Sequence, residues 1–242
     1  MKTEFEYINR MTEILQEVYE VNKDNIKIAA EKFAETMLND RIIHTFGTGH
    51  SHMVGMEAFA RAGGLGNLDA MMDPDVLCNQ GVDRGSRIER ISGISDIIYD
   101  SHVIEPGDIM VIISNSGRNA MPVEMAMRCQ KEGIYTIAIT SLEQSEKITS
   151  RHSNGKKLYE LCDLVLDNRS PAGDGCLNIG GIVAGAVSNI TGFYLIDTIT
   201  TEALKMVTAK GFKPYVYQSQ NVDGYDNDAI YQKYFGRIKY IR

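Results

Sequence analysis

The sequence predicts an α/β fold in which a parallel β-sheet is covered by helices on both sides. Short apolar runs, often β-branched, alternate along the chain with longer segments of helical periodicity. The apolar runs show little alternation of polar and apolar residues, which is typical of strands buried on both faces of a parallel sheet. Strands that alternate with helices form βαβ units, so we expect a three-layer sandwich.

Four segments are predicted to be strands, because each is short, apolar and rich in β-branched residues. They are residues 41–46, 109–113, 134–139 and 164–166. The intervening segments with helical periodicity are residues 53–62, 87–99 and 122–131. A longer apolar segment, residues 178–209, is predicted to be a helix that closes the core. We therefore expect residues 40–209 to form one α/β core.

Two further segments flank this core and complete a single domain of residues 1–242. The N-terminal arm, residues 1–39, has a helical stripe of apolar residues at spacings of three and four: Ile8, Met11, Leu15 and Val18. A second helical stretch is predicted to begin near Asp24, which can act as an N-cap. The arm must pack either on the chain's own core or on a second subunit. The C-terminal tail, residues 210–242, is rich in tyrosine and is predicted to lie across a surface.

The composition argues against several classes of partner. The formal net charge is −7, which disfavours a nucleic-acid surface or an anionic membrane as the main partner. The most apolar stretch is shorter than the roughly 20 residues that span a bilayer. Glu4 and Glu6 stand where a signal peptide needs basic residues, and four scattered cysteines fit a reducing compartment. We therefore predict a cytoplasmic protein without a nucleic-acid or membrane partner.

The first predicted strand ends in a loop that can bring the backbone close to a ligand. This loop reads Gly47, Thr48, Gly49, His50 and Ser51, and a helix follows it. Glycines allow a tight turn, and the N-terminus of a helix attracts anions. The dinucleotide-binding pattern needs a further glycine that this loop lacks. We therefore predict that Gly49, His50 and Ser51 bind a ligand other than a dinucleotide; the alternative is a plain structural turn.

The loop after the second predicted strand is more specific, because hydroxyl, amide and glycine residues occur together. They are Ser114, Asn115, Ser116, Gly117 and Asn119. Two hydroxyls, the N–H groups around Gly117 and an amide can converge on one phosphate without any lysine. The alternative is a serine-rich helix cap with no ligand. The next strand also ends in hydroxyl residues, Thr140 and Ser141, which we expect to form a third wall of the site.

These three loops resemble the ligand loops of SIS (sugar isomerase) domains, a family of phosphosugar isomerases, etherases and sensors. The resemblance covers residues 29–166. It implies a five-stranded parallel sheet of flavodoxin-like order, a sugar phosphate as ligand, and a homodimer or homotetramer. By the same resemblance Ser114, Ser116 and Asn119 hold the phosphate, and Ser51 contacts the sugar or its phosphate. Asn119 stands where many members have threonine.

The resemblance also suggests an activity. Residues 151–159 and 219–224 resemble an uncharacterised phosphosugar-binding branch of the same family. The likeness to phosphoheptose isomerase implies an aldose–ketose sugar-phosphate isomerase that works through an enediol by general acid–base catalysis. The alternatives are a non-catalytic phosphosugar sensor and a sugar-phosphate etherase or lyase. Arg61 stands where phosphoheptose isomerases and etherases carry a functional glutamate, so these alternatives remain open.

Acid–base chemistry on a sugar phosphate needs a carboxylate or a histidine in the cleft. Glu57, on the helix after the first loop, is the first candidate; the alternative for it is an ion pair with Arg61, four residues on. His152, in a polar loop further along the chain, is the second candidate. His50, His52 and Glu57 could hold zinc, but a third histidine is not placed nearby. We therefore predict no metal and no cofactor.

Overall fold

The computed structural model describes residues 3–241, and its centre is a five-stranded, fully parallel sheet. The strands are β1 Ile43–Gly47, β2 Leu68–Ala70, β3 Ile109–Ile113, β4 Tyr135–Thr140 and β5 Leu164–Asp167. Their order in the sheet is β2-β1-β3-β4-β5, which confirms the predicted α/β class and flavodoxin-like order. The outermost residues of the arm and the tail, residues 1, 2 and 242, lie outside the described part.

Helices cover both faces of the sheet and complete the three layers. They are α1 Glu6–Leu38, α2 His52–Ala58, α3 Val82–Ile88, α4 Ile94–Asp100, α5 Ala120–Glu132, α6 Leu142–Glu146, α7 Ser188–Ala209 and α8 Asp228–Tyr234. Helices α1, α2 and α7 pack on one face of the sheet, and α4 and α5 pack on the other. None of the described helices is long and apolar enough to cross a bilayer.

The two faces of each strand contribute to two separate apolar cores, because successive side chains point to opposite faces of a sheet. On β3, Val111 packs with α1, α2 and α7, whereas Met110 and Ile112 pack with α4 and α5. Phe33 of α1 and Met121 of α5 are fully buried in these cores. Burial of one such side chain contributes about 1.5–3 kcal/mol relative to exposure. Both helical layers are therefore held to the sheet by apolar packing.

The N-terminal arm is one helix of 33 residues, so the boundary predicted at Asp24 is wrong. Asp24 is exposed in the middle of α1, where a polar side chain that faces water costs little helix stability. The buried face of α1 continues through Val18, Asn22 and Ile26. Asn22 donates from Nδ2 to the carbonyl oxygen of Asp167 at 2.8 Å and accepts from the N–H of Asp167 at 2.8 Å. The arm therefore packs on the chain's own sheet, at the end of β5.

The helix predicted over residues 178–209 begins only at Ser188. The residues before it form an antiparallel hairpin of β6 Gly175–Ile179 and β7 Ile182–Ala186. Two glycines at positions 180 and 181, with φ values of 59° and 89°, make the turn between them. A hairpin strand and a buried helix can both be apolar, so an apolar run alone does not distinguish them.

The tyrosine-rich tail covers an apolar surface of the core, as predicted. Tyr217, Ile230 and Tyr234 are buried together with Ile42 and Ile238 in a third apolar cluster. Ile42 directly precedes β1, so the tail packs beside the start of β1. Burial raises the pKa of Tyr217 to about 12, which keeps its phenol neutral within this cluster.

A buried network of two histidines and two aspartates crosses the sheet at β1 and β2. Nδ1 of His44 lies 3.0 Å from Oδ2 of Asp69, and Nε2 of His44 lies 3.3 Å from Oδ2 of Asp108. Nδ1 of His102 lies 2.7 Å from the same Asp69 oxygen. Burial lowers the pKa of His44, but its hydrogen bonds to the two carboxylates outweigh this effect and raise the pKa above the ordinary value. The two buried carboxylates therefore favour the protonated form of the imidazole that they share.

Removing the His44 side chain should strongly destabilise the fold. His44→Ala leaves Asp69 and Asp108 as buried carboxylates without their shared partner, so the free energy of unfolding should fall by about 3–5 kcal/mol. Urea unfolding at neutral pH measures the change. His50→Ala removes an exposed imidazole and serves as the control, with an expected change within about 0.5 kcal/mol. A His44→Ala effect as small as that of the control would contradict the stabilising role of the network.

The same network should make the fold sensitive to acid. Burial raises the pKa of Asp69, but the hydrogen bonds from His102 and His44 outweigh this and bring it from 3.8 to about 2. A carboxyl group whose pKa is lowered by folding stabilises the protein above its unfolded pKa and loses that contribution as the pH falls through the folded value. Thermal melts should therefore show stability falling between about pH 4 and about pH 2. The fall should be smaller in Asp69→Asn, and an identical pH profile in that variant would count against Asp69 as its source.

Candidate functional site

The candidate site lies at the carboxyl end of the sheet, between β1 and β3. From β1 the chain crosses to β2 on one side of the sheet, whereas β3 lies on the other side of β1. The loops that leave β1 and β3 therefore diverge and leave a crevice, which is where open α/β sheets bind ligands. Two loops border this crevice: loop A, residues 47–52, and loop B, residues 114–119.

Loop A turns sharply directly after β1. A Cβ atom at Gly47 would lie 2.8 Å from the carbonyl carbon of Ser51, so this close approach requires glycine. His50 is exposed and Ser51 is partly exposed. The N–H of Gly49 donates to the carbonyl oxygen of Val76 at 2.8 Å, which fixes the middle of the loop. Loop A thus presents the predicted residues Gly49, His50 and Ser51 at the end of β1.

Loop B forms a turn that is closed by a hydrogen bond to its first serine, Ser114. The N–H of Gly117 donates to Oγ of Ser114 at 3.2 Å. Gly117 has a φ of 58°, and a Cβ atom there would lie 3.0 Å from Cβ of Leu158, so glycine is required on both counts. Ser116 is partly exposed, and α5 begins directly after Asn119. The N–H groups of the loop therefore lie at a helix N-terminus, where anions are favoured.

Three of the predicted ligand-binding residues join neighbouring loops in this structure. Oγ1 of Thr140 donates to the carbonyl oxygen of Asn115 at 3.3 Å, and Oγ of Ser141 donates to the carbonyl oxygen of Ser170 at 2.6 Å. Nδ2 of Asn115 donates to Oε1 of Gln144 at 2.8 Å. Thr140 and Ser141 are completely buried. These side chains therefore hold loop B against the loops that follow β4 and β5.

A carboxylate that was not predicted from the sequence, Glu89, joins the two loops. Its Oε2 accepts from Oγ1 of Thr48 in loop A at 2.9 Å. Its Oε1 accepts from Nδ2 of Asn119 in loop B at 2.7 Å. The carbonyl oxygen of Glu89 also accepts from the N–H of Met121 at 3.2 Å, which fixes its backbone to the first turn of α5. Glu89 thus lies in the crevice, between the two loops.

The environment of Glu89 alters its acidity. Burial raises the pKa of this carboxyl group above its ordinary value and outweighs the opposing hydrogen bond from Thr48 and the charges of Arg90 and Arg151. A carboxyl group with a raised pKa exchanges protons closer to neutral pH, as a general acid or base must. Each carboxylate oxygen also has a lone pair beyond the one that a single hydrogen bond uses. Glu89 can therefore take a proton from a ligand while both loops hold it in place.

Asn119 connects Glu89 to a positively charged side chain. While its Nδ2 donates to Glu89, its Oδ1 accepts from Nη1 of Arg151 at 2.9 Å. A threonine at this position would have no amide with separate donor and acceptor atoms. The asparagine side chain is thus engaged by Glu89 and Arg151, and any contact between Asn119 and a phosphate falls to its backbone N–H.

Glu89 was not identified from the sequence because it lies within residues 87–99, which were predicted to form one helix. That single helix is wrong: α3 ends at Ile88 and α4 begins at Ile94. Gly93, with a φ of 91°, lies at the start of α4 and marks the break. An isolated glycine lowers helix stability, so Gly93 was the signal in the sequence that could have placed Glu89 in a loop.

The two side chains predicted to be catalytic, Glu57 and His152, are far apart in the fold. Glu57 forms an ion pair with Arg61 on α2. Nε2 of His152 lies 3.2 Å from Oε1 of Glu124 on α5. Because α2 and α5 pack on opposite faces of the sheet, the structure does not bring Glu57 and His152 together within one chain.

The histidines of loop A do not form a metal-binding group with Glu57. Nδ1 of His52 contacts the carbonyl oxygen of Gly49, and burial lowers the pKa of this histidine. Across residues 3–241, no three His, Cys, Asp or Glu side chains are grouped so that they could hold a metal ion. The groups that the described residues bring to the crevice are hydroxyls, amides, backbone N–H groups, arginines and the Glu89 carboxylate.

Known proteins of similar sequence cover almost the whole chain. A UPF0309 protein of Halalkalibacterium halodurans is 40% identical over 233 residues, which are 95% of this chain and 96% of that protein. A UPF0309 protein of Listeria monocytogenes is 36% identical over 240 residues, which are 97% of this chain and 98% of that protein. The SIS domain family matches residues 6–141.

Solved structures with low sequence identity share the fold. A phosphoheptose isomerase from Neisseria gonorrhoeae has a TM-score of 0.57 at 18% identity, and the match covers 82% of this chain and 95% of that one. The NanR protein of Vibrio vulnificus, solved in complex with ManNAc-6P, has a TM-score of 0.51 at 17% identity, over 85% of this chain and 66% of that one. Because the family match includes both β1 and β3 with loops A and B, the chain belongs to the SIS domain family.

Proposed function

We propose that the crevice between loops A and B binds a sugar phosphate, with the phosphate on loop B and the sugar towards loop A and Glu89. Loop B suits the phosphate because it combines the Ser114 and Ser116 hydroxyls with N–H groups at the start of the 13-residue helix α5. Loop A suits the sugar because it offers the exposed His50 imidazole and the partly exposed Ser51 hydroxyl beside the crevice.

Two structural neighbours support this class of ligand. One is a phosphoheptose isomerase, and the other was solved with ManNAc-6P bound. The resemblance of loop B to SIS ligand loops supports the same class from the sequence side. The homodimer or homotetramer implied by that resemblance and the cytoplasmic location predicted from the sequence stay predictions.

We further infer that the protein is a sugar-phosphate isomerase in which Glu89 transfers the proton. In aldose–ketose isomerisation a base removes the proton from the carbon next to the carbonyl group while the carbonyl oxygen gains a proton, which gives an enediol. The hydroxyl group on the neighbouring carbon then loses its proton and becomes the new carbonyl group, as the first proton returns to the former carbonyl carbon. The exchange is internal and needs no other reactant. The observation that carries this proposal is the position of the Glu89 carboxylate, which is bonded to both loops and whose pKa is raised by burial.

The geometry supports Glu89 as the catalytic base better than it supports Glu57 and His152, the two candidates predicted from the sequence. Glu57 is paired with Arg61, and His152 is paired with Glu124. Neither pair touches both loops, whereas Glu89 does. Glu57 and His152 are therefore kept as comparison positions in the test of the mechanism.

Phosphorylated sugars should raise the melting temperature, and the matching unphosphorylated sugars should not. A ligand at 100 times its Kd stabilises the protein by about 2.7 kcal/mol. The probes are aldose and ketose 6- and 7-phosphates and N-acetylhexosamine 6-phosphates, each beside its parent sugar. Ser116→Ala should weaken binding about 10- to 150-fold, because a hydrogen bond to a charged group contributes about 1.5–3 kcal/mol. Ser219→Ala in the tail is the matched control and should bind normally; shifts that do not depend on the phosphate would rule out a phosphate site in loop B.

Glu89→Gln should abolish turnover and spare binding. Glutamine keeps the size of the side chain and can still accept from Asn119, and the Thr48 hydroxyl can turn to accept from its amide. Without a proton-accepting carboxylate, exchange of the substrate C–H proton in D₂O, followed by NMR, should slow by about 10²–10⁴-fold.

Two further variants locate the base. Glu57→Gln and His152→Gln should each change the exchange rate far less than Glu89→Gln does. If Glu89→Gln retains the full exchange rate, Glu89 is not the base; if Glu57→Gln alone abolishes it, the proton transfer belongs to α2. Binding without exchange in the unaltered protein would instead favour a phosphosugar sensor.

A further inference from the structure

Three arginines differ from all other arginines of the described chain in having no ion-pair partner. Between residues 3 and 241, the arginines that do form ion pairs with carboxylates are Arg10, Arg41, Arg61, Arg84, Arg87, Arg128, Arg169 and Arg237. The three that do not are Arg90, Arg118 and Arg151. These three are not scattered over the surface, because all of them lie beside the crevice.

Their places in the fold bring them together. Arg118 belongs to loop B, and Arg90 directly follows Glu89. The N–H of Arg151 donates to the carbonyl oxygen of Arg118 at 2.8 Å, and its guanidinium donates to Oδ1 of Asn119 at 2.9 Å. The Arg90 guanidinium donates from Nη2 to Oγ of Ser86 at 3.1 Å and is close enough for its charge to act on Arg151. Three segments that are distant in sequence thus bring their guanidinium groups to one corner of loop B.

The cluster has more positive charge than its surroundings compensate. Partial burial lowers the pKa of Arg151, and the charges of Arg118 and Arg90 lower it further, with Glu89 as the opposing negative charge. Repulsion between like charges is unfavourable in the free protein, and a bound anion relieves it.

One phosphate on loop B does not require these arginines. The hydroxyls and N–H groups of loop B already offer a phosphate site without formal charge. The Arg118 side chain extends away from that turn, since its Nη2 lies 3.3 Å from Oγ1 of Thr149 in the segment after α6. The cluster therefore adds a second anion-binding surface next to the first. Guanidinium groups suit carboxylates and phosphates in particular, because they bind both in a bidentate manner.

We propose that the ligand carries a second anionic group besides its phosphate, a carboxylate or a second phosphate, and that Arg90, Arg118 and Arg151 bind it. This inference rests on the proposed phosphate site in loop B and narrows its ligand from sugar phosphates in general to doubly anionic ones. The substrate class is then a sugar-acid phosphate or a sugar bisphosphate.

Matched ligands that differ only in the second anion test this inference. Titration calorimetry would compare sorbitol 6-phosphate with 6-phosphogluconate, glucose 6-phosphate with glucose 1,6-bisphosphate, and fructose 6-phosphate with fructose 1,6-bisphosphate. Ionic strength must be held constant, because salt screens such contacts. We expect at least one doubly anionic ligand to bind tenfold or more tightly than its monophosphate partner. Preference for 6-phosphogluconate would identify a carboxylate as the second group, and preference for a bisphosphate would identify a phosphate.

The double variant Arg90→Gln/Arg151→Gln should remove that preference. Its affinity for the doubly anionic ligand should fall to within about twofold of its affinity for the monophosphate, so the loss should be much larger for the doubly anionic ligand than for the monophosphate. Arg84→Gln, which removes an arginine paired with Asp75 at 2.7 Å, is the charge-matched control and should keep the preference. Melting temperatures of the variants show that each one is folded.

The outcomes separate this inference from the proposed function. Equal binding of monophosphates and doubly anionic ligands by the unaltered protein overturns the inference and leaves the sugar-phosphate site intact. Equal loss of both ligand types in the double variant also overturns it, because the arginines would then hold the single phosphate. Absence of binding by every phosphorylated sugar, in this series and in the thermal-shift panel, overturns both.

Discussion

The site depends on the fact that β1 and β3 are adjacent in the sheet and end at the same level. Gly47 and Ile113, the last residues of these strands, are paired in the parallel register, so loops A and B start at the same level of the sheet. Because the chain leaves β1 towards β2 and not towards β3, no crossover helix fills the space between the two loops. The sharp turns at Gly47 and Gly117 then keep both loops close to the strand ends. A crevice bordered by two helix N-termini follows from strand order and turn geometry alone.

Glu89 makes this crevice chemically useful. A buried carboxylate is unfavourable unless hydrogen bonds satisfy it, and Thr48 and Asn119 supply them from the two loops. The same contacts tie the loops together, so the group proposed to move the proton also contributes to the shape of the site. Asn119 extends the chain of hydrogen bonds to Arg151. The asparagine that departs from the family pattern therefore fits this chain's own carboxylate and arginine.

The two polar clusters of the fold differ in how their charges are balanced. In the core, His44 is bonded to Asp69 and Asp108, so each buried charge has a partner within the protein. At the crevice, three arginines face one carboxylate, Glu89, in a chain whose net charge is −7. A stabilising network pairs its charges with one another, whereas a binding site leaves charge for its ligand. By this difference the core cluster supports stability and the crevice cluster supports recognition of an anion.

The α/β class, the strands β1, β3, β4 and β5 and the residues of loops A and B can be predicted from the sequence, because apolar periodicity and loop chemistry are local properties of the chain. The sequence did not reveal β2, which has three residues, or the hairpin before α7, whose apolar run is also compatible with a helix. Only the tertiary structure decided which charged groups reach the crevice. Glu89 and Asn119 are 30 residues apart, and Arg151 and Asn119 are 32 apart, so no local pattern connects them. They meet because parallel strands place their carboxyl ends at one edge, and that placement is set by strand order and helix packing, not by any one segment.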